Sequence, residues 1–155
     1  MTEIAATATI SGLPTIEALP RVWPHISAWA AETCKHSAGC YEAVDIYRAI
    51  MMNEMRLWLA HPVGASIAFE PPIAFAVSRV LRYPRKWFLD VPFIGGEEGR
   101  MDEWFRPLFD VLIAFSHASG CQGRLSGGGR KGWLRKAGFR EAGVWAVYEE
   151  NLSDV

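Results

Sequence analysis

The sequence has almost no net charge: 16 Lys and Arg against 17 Asp and Glu leave a formal −1 over 155 residues. A protein drawn to polyanions by its whole field needs a basic excess, so the bulk charge makes no case for nucleic acid. Cysteine is scarce, with only Cys34, Cys40 and Cys121. An odd number without framework spacing argues against a disulfide scaffold. Cys34 and Cys40, with His36 between them, lack a fourth ligand at zinc spacing, so no metal is expected. No apolar run approaches the roughly 18 residues of a membrane span. The opening MTEIAATATISGLP carries an acid and no basic region, which does not read as a secretory signal. Together these absences point to a reducing cytoplasm.

Half of the residues are hydrophobic, and seven are tryptophan. That is enough to build one core, and the length suits a single domain over 1–155, with 1–13 as an arm or a first strand. Trp87, Trp104, Trp133 and Trp145 are too many to hide in so small a domain. Exposed aromatics imply a protein partner or self-association. Charge is local rather than global. Arg79, Arg82, Arg85 and Lys86 form one basic cluster, and Arg124, Arg130, Lys131, Arg135, Lys136 and Arg140 a second. Acids gather at Glu97, Glu98, Asp102 and Glu103, and again at Glu149 and Glu150.

Apolar periodicity divides the chain. Val22, Ile26, Trp29, Ala30 and Thr33 fall at helical spacing, with Gly39 as a left-handed stop. Val44, Tyr47, Met51, Met55 and Trp58 form a second helical stripe, with Asp45 in its first turn. The period then changes. IAFAVSRV at 73–80 and WFLDVPF at 87–93 read as strands, and Pro92 places an edge, a bulge or a splay in the second. A long helix follows over about 101–119, its stripe Phe105, Leu108, Phe109, Leu112 and Phe115, with Pro107 expected in its first turns. Gly120 ends it. A short strand at 122–126, a helix at 131–137 closed by Gly138, and a last strand at 143–152 complete the chain. The class is α/β, or layered α+β, with a β-α-β-α-β unit at the end.

GRKGWLRKAGFREAG at 129–143 is similar to the closing segment of GNAT (acyl-CoA N-acyltransferase) domains, in which a short helix ends in glycine and an aromatic, here Gly138-Phe139. AIMMNEMRLWLA at 49–60 resembles the second helix of that family, and WFLDVPFIGG with MDEWFRPLFDVLIAF resembles its central strand, turn and helix. The final segment looks most like the small GNAT-like proteins of tailed phages. The resemblance implies a mixed, mostly antiparallel sheet flanked by helices. It also implies acetyl-CoA or another acyl-CoA as cofactor, and an amine as acceptor.

In that family a turn of the form R/Q-x-x-G-x-G/A presents backbone N–H groups and a helix N-terminus to the coenzyme A pyrophosphate. Gly95, Gly96, Gly99 and Arg100 occupy the corresponding stretch. Gly96 stands in place of Arg or Gln, and Met101 in place of the second small residue. The resemblance places the general base on the strand before this turn, at Asp90. No tyrosine lies on the helix at 131–137 to serve as the acid, so Tyr148 on the last strand is the remaining candidate. His117 reads as a cation at a helix C-terminus. Ser126 and Ser78 have no evident partners. Two functions stay open: an N-acyltransferase, or a phage protein that keeps the fold as a virion or assembly component or a protein-binding module. Four acids around a pyrophosphate turn and the missing tyrosine support the second.

Overall fold

The computed structural model describes residues 8–67, 70–128, 131–143 and 145–150. It is a five-stranded sheet between two helical layers. The strands are β1 (Ala8–Gly12), β2 (Arg56–Pro62), β3 (Ala74–Arg82), β4 (Trp87–Gly96) and β5 (Leu125–Gly127), in sheet order β1-β2-β3-β4-β5. The first four are antiparallel, and β5 runs parallel to β4. A parallel pair needs a crossover, and α3 (Met101–Ala118) supplies it. The mixed, mostly antiparallel sheet flanked by helices is as expected.

The helices sort by face. α1 (Leu19–Cys34) and α2 (Ala43–Met51) cover one side, where Ile26, Ala30, Ile46 and Ile50 pack on Leu57, Leu59, Phe75, Val77 and Phe93. α3 and α4 (Lys131–Lys136) cover the other, where Trp104, Phe105, Leu108, Leu112 and Trp133 meet Trp58, Ala60, Ala74, Ala76, Leu89 and Val91. The alternation along β2, β3 and β4 follows the two-residue period of a strand with both faces buried.

The second helix stops sooner than its stripe predicts. α2 ends at Met51, Asn53 turns the chain at φ 58°, and the N–H groups of Glu54 and Met55 both donate to the Ala49 carbonyl. Met55 and Trp58 therefore belong to the turn and to β2. Every residue from Leu57 to His61 is buried, so β2 shows no polar alternation to betray it. Pro107 falls where the helix start at Met101 puts it, at the seventh residue and second turn of α3, and its ring replaces an intrahelical N–H donor there.

The close of α4 follows the expectation at Gly138. Gly138 has φ 81° and donates to Arg135, while Phe139 donates to Leu134. These are the two bonds of a Schellman cap, and Phe139 then packs edge-on against Phe109 and Trp133. The strand expected at 143–152 is absent: the described residues there form no ladder, with Val144 and 151–152 outside the described set. Alternation alone cannot hold a strand without a hydrogen-bonding neighbour. Trp145 and Tyr148 are consequently 69% and 90% exposed. Trp87 is also exposed, whereas Trp104 and Trp133 are buried.

Candidate functional site

β4 carries the site because its two halves have different neighbours. Leu89, Asp90 and Val91 pair with Leu125, Ser126 and Gly127 of β5. There β5 ends, while β4 continues to Gly96. Gly127 permits the departure: a Cβ on it would lie 2.6 Å from the Trp133 ring of α4. Beyond Val91 the outer edge of β4 has no strand partner among the described residues.

A bulge sits at the root of this split. Val77 pairs with Phe93, but Arg79 pairs with Asp90, so Ser78 opposes two residues, Val91 and Pro92. Proline has no N–H to lose from the ladder, so the bulge falls where it costs least. Without it, a period of two would send Asp90 and Phe93 to opposite faces. With it, both point toward α1 and α2.

Asp90 is buried there and held at both oxygens. Arg79 Nε donates to Oδ2 at 2.9 Å, and Ser126 Oγ donates to Oδ1 at 2.9 Å. Arg79 Nη1 reaches the Tyr41 hydroxyl oxygen at 3.4 Å. Burial works against the Arg79 charge, but Asp90 and then Tyr41 outweigh it and leave the guanidinium above its ordinary value. Tyr41 stacks edge-on against Phe93, which fixes its ring. Arg79 and Tyr41 also line a cavity of about 490 Å³, with Asp45, Arg48, Glu54 and Met55 around it.

The far end of β4 leads into α3 through a tight turn. Gly99 has φ 79°, and a Cβ on it would meet nothing within 4 Å. This is an open left-handed position that glycine adopts without strain. The N–H groups of Glu98 and Gly99 donate to no described group. Those of Met101 and Asp102 open the helix and have no intrahelical acceptor. The turn therefore presents backbone donors at a helix N-terminus, with open space beside Gly99.

The acids around it are largely neutralised from within. Arg100 grips Glu103 with two bonds of 2.6 and 2.9 Å and Glu97 with one of 3.2 Å. Lys136 of α4 meets Asp102 at 2.5 Å. The hydrogen bond from Arg100 holds Glu103 below the usual carboxylate range, and Lys136 does the same to Asp102. Among the described residues, Glu98 is the one of the four acids with no cation on it.

The glycines named from the sequence divide by role. Gly95 packs under α1, where a Cβ would come 3.3 Å from Phe75 and 3.4 Å from Thr33. Gly96 lets α3 close on the sheet, since a Cβ there would lie 2.8 Å from the Ile73 carbonyl and 3.0 Å from Trp104 Nε1. Of Gly95, Gly96 and Gly99, the last alone faces open space. Arg100 spends its guanidinium on Glu97 and Glu103. Asp90 stands at the root of the split, and Tyr148 is not brought to it: Tyr148 projects to solvent from a segment that joins no strand. Arg79 and Tyr41 escaped the sequence reading because an antiparallel register and a bulge bring them to Asp90. Trp104 Nε1 is buried and has no partner among the described residues. It is an orphaned donor beside Gly96, at the end of the split.

No protein-family model matches the sequence, and no curated protein matches it. Solved structures do. An aminoglycoside acetyltransferase from an uncultured soil metagenomic sample, in complex with sisomicin, superposes with TM-score 0.66 at 13% identity, covering 95% of this chain and 98% of that one. A ribosomal-protein-alanine N-acetyltransferase from Brucella melitensis gives TM-score 0.65 at 12%, covering 92% and 98%. A predicted acetyltransferase from Clostridium acetobutylicum, solved with acetyl-CoA, gives 0.63 at 11%, covering 92% and 96%. The chain therefore has the GNAT fold over nearly its whole length, and at these identities the likeness is one of fold.

Proposed function

We propose that this protein is an acyl-CoA-dependent N-acyltransferase. The observation that carries the reading is the split of β4 from β5, which opens onto an unobstructed turn of free N–H groups at the start of α3. The neighbours of the same fold include one solved with acetyl-CoA and two whose names make amines the acceptors.

The residues of the turn fit a diphosphate in backbone geometry. Glu98, Gly99 and the first turn of α3 would hold it, since free N–H groups and a helix dipole favour an anion. Trp104 Nε1 offers a buried donor to an acceptor oxygen in the split. An unpaired buried donor costs about 1–3 kcal/mol, so a ligand there removes a penalty. Bound acyl-CoA would supply the acyl group, activated as a thioester. The acceptor amine enters through the cavity beside Tyr41 and Arg79. Asp90, fixed by Arg79 and Ser126, accepts the proton of the ammonium, directly or through water. Tyr41 accepts a hydrogen bond from Arg79 and so keeps its own proton free to donate. It takes the acid role that Tyr148 is too far out to fill.

A second reading, a protein that keeps the fold for a virion, assembly or protein-binding role, is favoured by Glu98 and by the internal use of Arg100. Isothermal titration with acetyl-CoA separates the two. Binding by the wild type, lost in Gly99→Asp, supports the enzyme. No heat from the wild type removes it.

A further inference from the structure

Between Glu70 and Asp90, and again between Asp110 and Glu141, the sequence holds no carboxylate. The fold brings these two stretches together at the N-terminal end of β4. Arg124 Nε donates to the Trp87 carbonyl at 3.0 Å, Leu89 N–H donates to the Arg124 carbonyl at 2.9 Å, and the Trp87 ring lies where a Cβ on Gly120 would be 3.3 Å away. The Arg82 guanidinium sits over the Trp87 ring at 4.8 Å. Tyr83, Arg85, Lys86, Trp87 and Arg124 line a shallow concavity of about 230 Å³. Among the described residues, Arg82, Arg85, Lys86 and Arg124 pair with no carboxylate. Two rings stand exposed among them, Tyr83 at 53% and Trp87 at 39%.

We propose that this end of the molecule binds single-stranded nucleic acid. Four cations in one hairpin and its neighbouring loop repel one another, and a phosphate backbone relieves that repulsion while releasing its counterions. The exposed rings distinguish the ligand. A base presents a flat face for the Tyr83 ring to stack on, beside a Trp87 ring already covered by Arg82, whereas an acidic peptide would use the cations and leave Tyr83 wet. A paired duplex keeps its bases stacked on each other, so the strand is single. The formal charge of −1 hides this surface because the acids sit elsewhere in the sequence, four of them around the start of α3. The site lies at the opposite end of β4 from the acyl-CoA turn and does not depend on the acyl-transfer reading.

The test is fluorescence anisotropy of an end-labelled oligothymidylate titrated with the protein over a range of salt. Four phosphate contacts give a slope of log K against log salt of about −3. Tyr83→Ala should weaken binding by roughly five- to 150-fold at an unchanged slope. Arg85→Glu with Lys86→Glu should abolish it, and thermal melts of both variants should match the wild type because the side chains are exposed. Absence of binding by the wild type at low salt overturns the proposal. So does a Tyr83→Ala protein that binds as well as wild type while polyglutamate competes as effectively as the oligonucleotide, an outcome that would assign the surface to an acidic protein.

Discussion

The two ends of β4 use charge in opposite ways. At the Gly96 end, Arg100 and Lys136 are spent on Glu97, Glu103 and Asp102. The cations there hold the turn in shape, and the N–H groups of Glu98 and Gly99 are left without a partner among the described residues. At the Trp87 end, Arg82, Arg85, Lys86 and Arg124 have no acid on them among the described residues, and the backbone is paired into β3 and β5. One end offers amides and the other offers side chains. The lesson is that neither formal charge nor a count of basic residues says which groups are available; ion pairing within the fold decides it. Between the two ends sits the Asp90 network, where a buried carboxylate accepts one hydrogen bond on each oxygen.

The largest expected effect comes from breaking that middle. Asp90→Ala removes both the Arg79 partner and the Ser126 acceptor. Losing one member of a buried pair costs about 3–5 kcal/mol. The Arg79 side chain is 33% exposed and keeps some water, so about 2–3 kcal/mol is expected in urea unfolding. A loss under about 0.5 kcal/mol, the size of an ordinary surface change, would mean that the Arg79 and Ser126 contacts do not hold Asp90 in solution.

Next comes a contrast within the turn. Gly96→Ala puts a methyl 2.8 Å from the Ile73 carbonyl and from the Ala74 Cβ. Overpacking against backbone costs about 1–3 kcal/mol. Gly99→Ala meets no atom but must hold φ 79°, which costs about 1–2 kcal/mol. The stability losses overlap; acetyl-CoA affinity should separate the pair. Gly99→Ala fills the cradle and weakens binding directly. Gly96→Ala acts only by shifting α3. Equal affinities for both variants would break the assignment of the cradle to Gly99.

How legible this was depends on what holds each feature. The glycine stops at Gly39, Gly120 and Gly138 were readable because each is a local backbone requirement, and all three have positive φ. The α3 stripe was readable because only one face of that helix is buried. β2 was not. Its residues pack against both layers, so the polar alternation that marks a half-buried strand is missing, and Met51, Met55 and Trp58 fall at helical spacing by coincidence. Asp90 could be placed by its position before the turn. Its partners could not, because Arg79 and Tyr41 reach it through strand register and the bulge at Pro92. The strand expected at 143–152 failed for the converse reason: the pattern is local, but a strand is a pairing.

A pH titration sharpens the comparison further, because the α3 end and the core titrate in separate windows. His61 is buried on β2 with Nδ1 unpartnered among the described residues, and burial pushes its imidazole below the ordinary 6.5, against a smaller upward pull from Glu70. The unfolded chain therefore binds the proton first. Stability should be full above about pH 6.5 and fall below it, by at most about 1.4 kcal/mol per pH unit for one proton. Asp102 and Glu103 lie below their ordinary values of 3.8 and 4.5, so their contribution is present above those values and lost only as pH falls through them. His61→Leu should flatten the first decline and leave the second. A decline between pH 6.5 and 5 that survives in His61→Leu would mean that another group titrates in the core.

The smallest expected effect is the most discriminating for the acid role. Tyr148 is 90% exposed, and removing one hydroxyl from such a side chain alters stability by less than about 0.5 kcal/mol. If acyl transfer is observed, Tyr148→Phe should leave kcat within about twofold of wild type, since nothing ties that hydroxyl to Asp90. Tyr41→Phe keeps the ring against Phe93 and deletes only the acceptor for Arg79 and the proton that faces the cavity. A general acid contributes on the order of 10²–10⁴ in rate, and the loss should appear in kcat with little change in KM, because the hydroxyl acts on the departing thiolate and not on the resting substrate. The reverse pattern, Tyr148→Phe inactive and Tyr41→Phe intact, would require the chain after Gly143 to fold back over the split when substrate binds. It would return the acid role to the residue that the sequence alone had suggested.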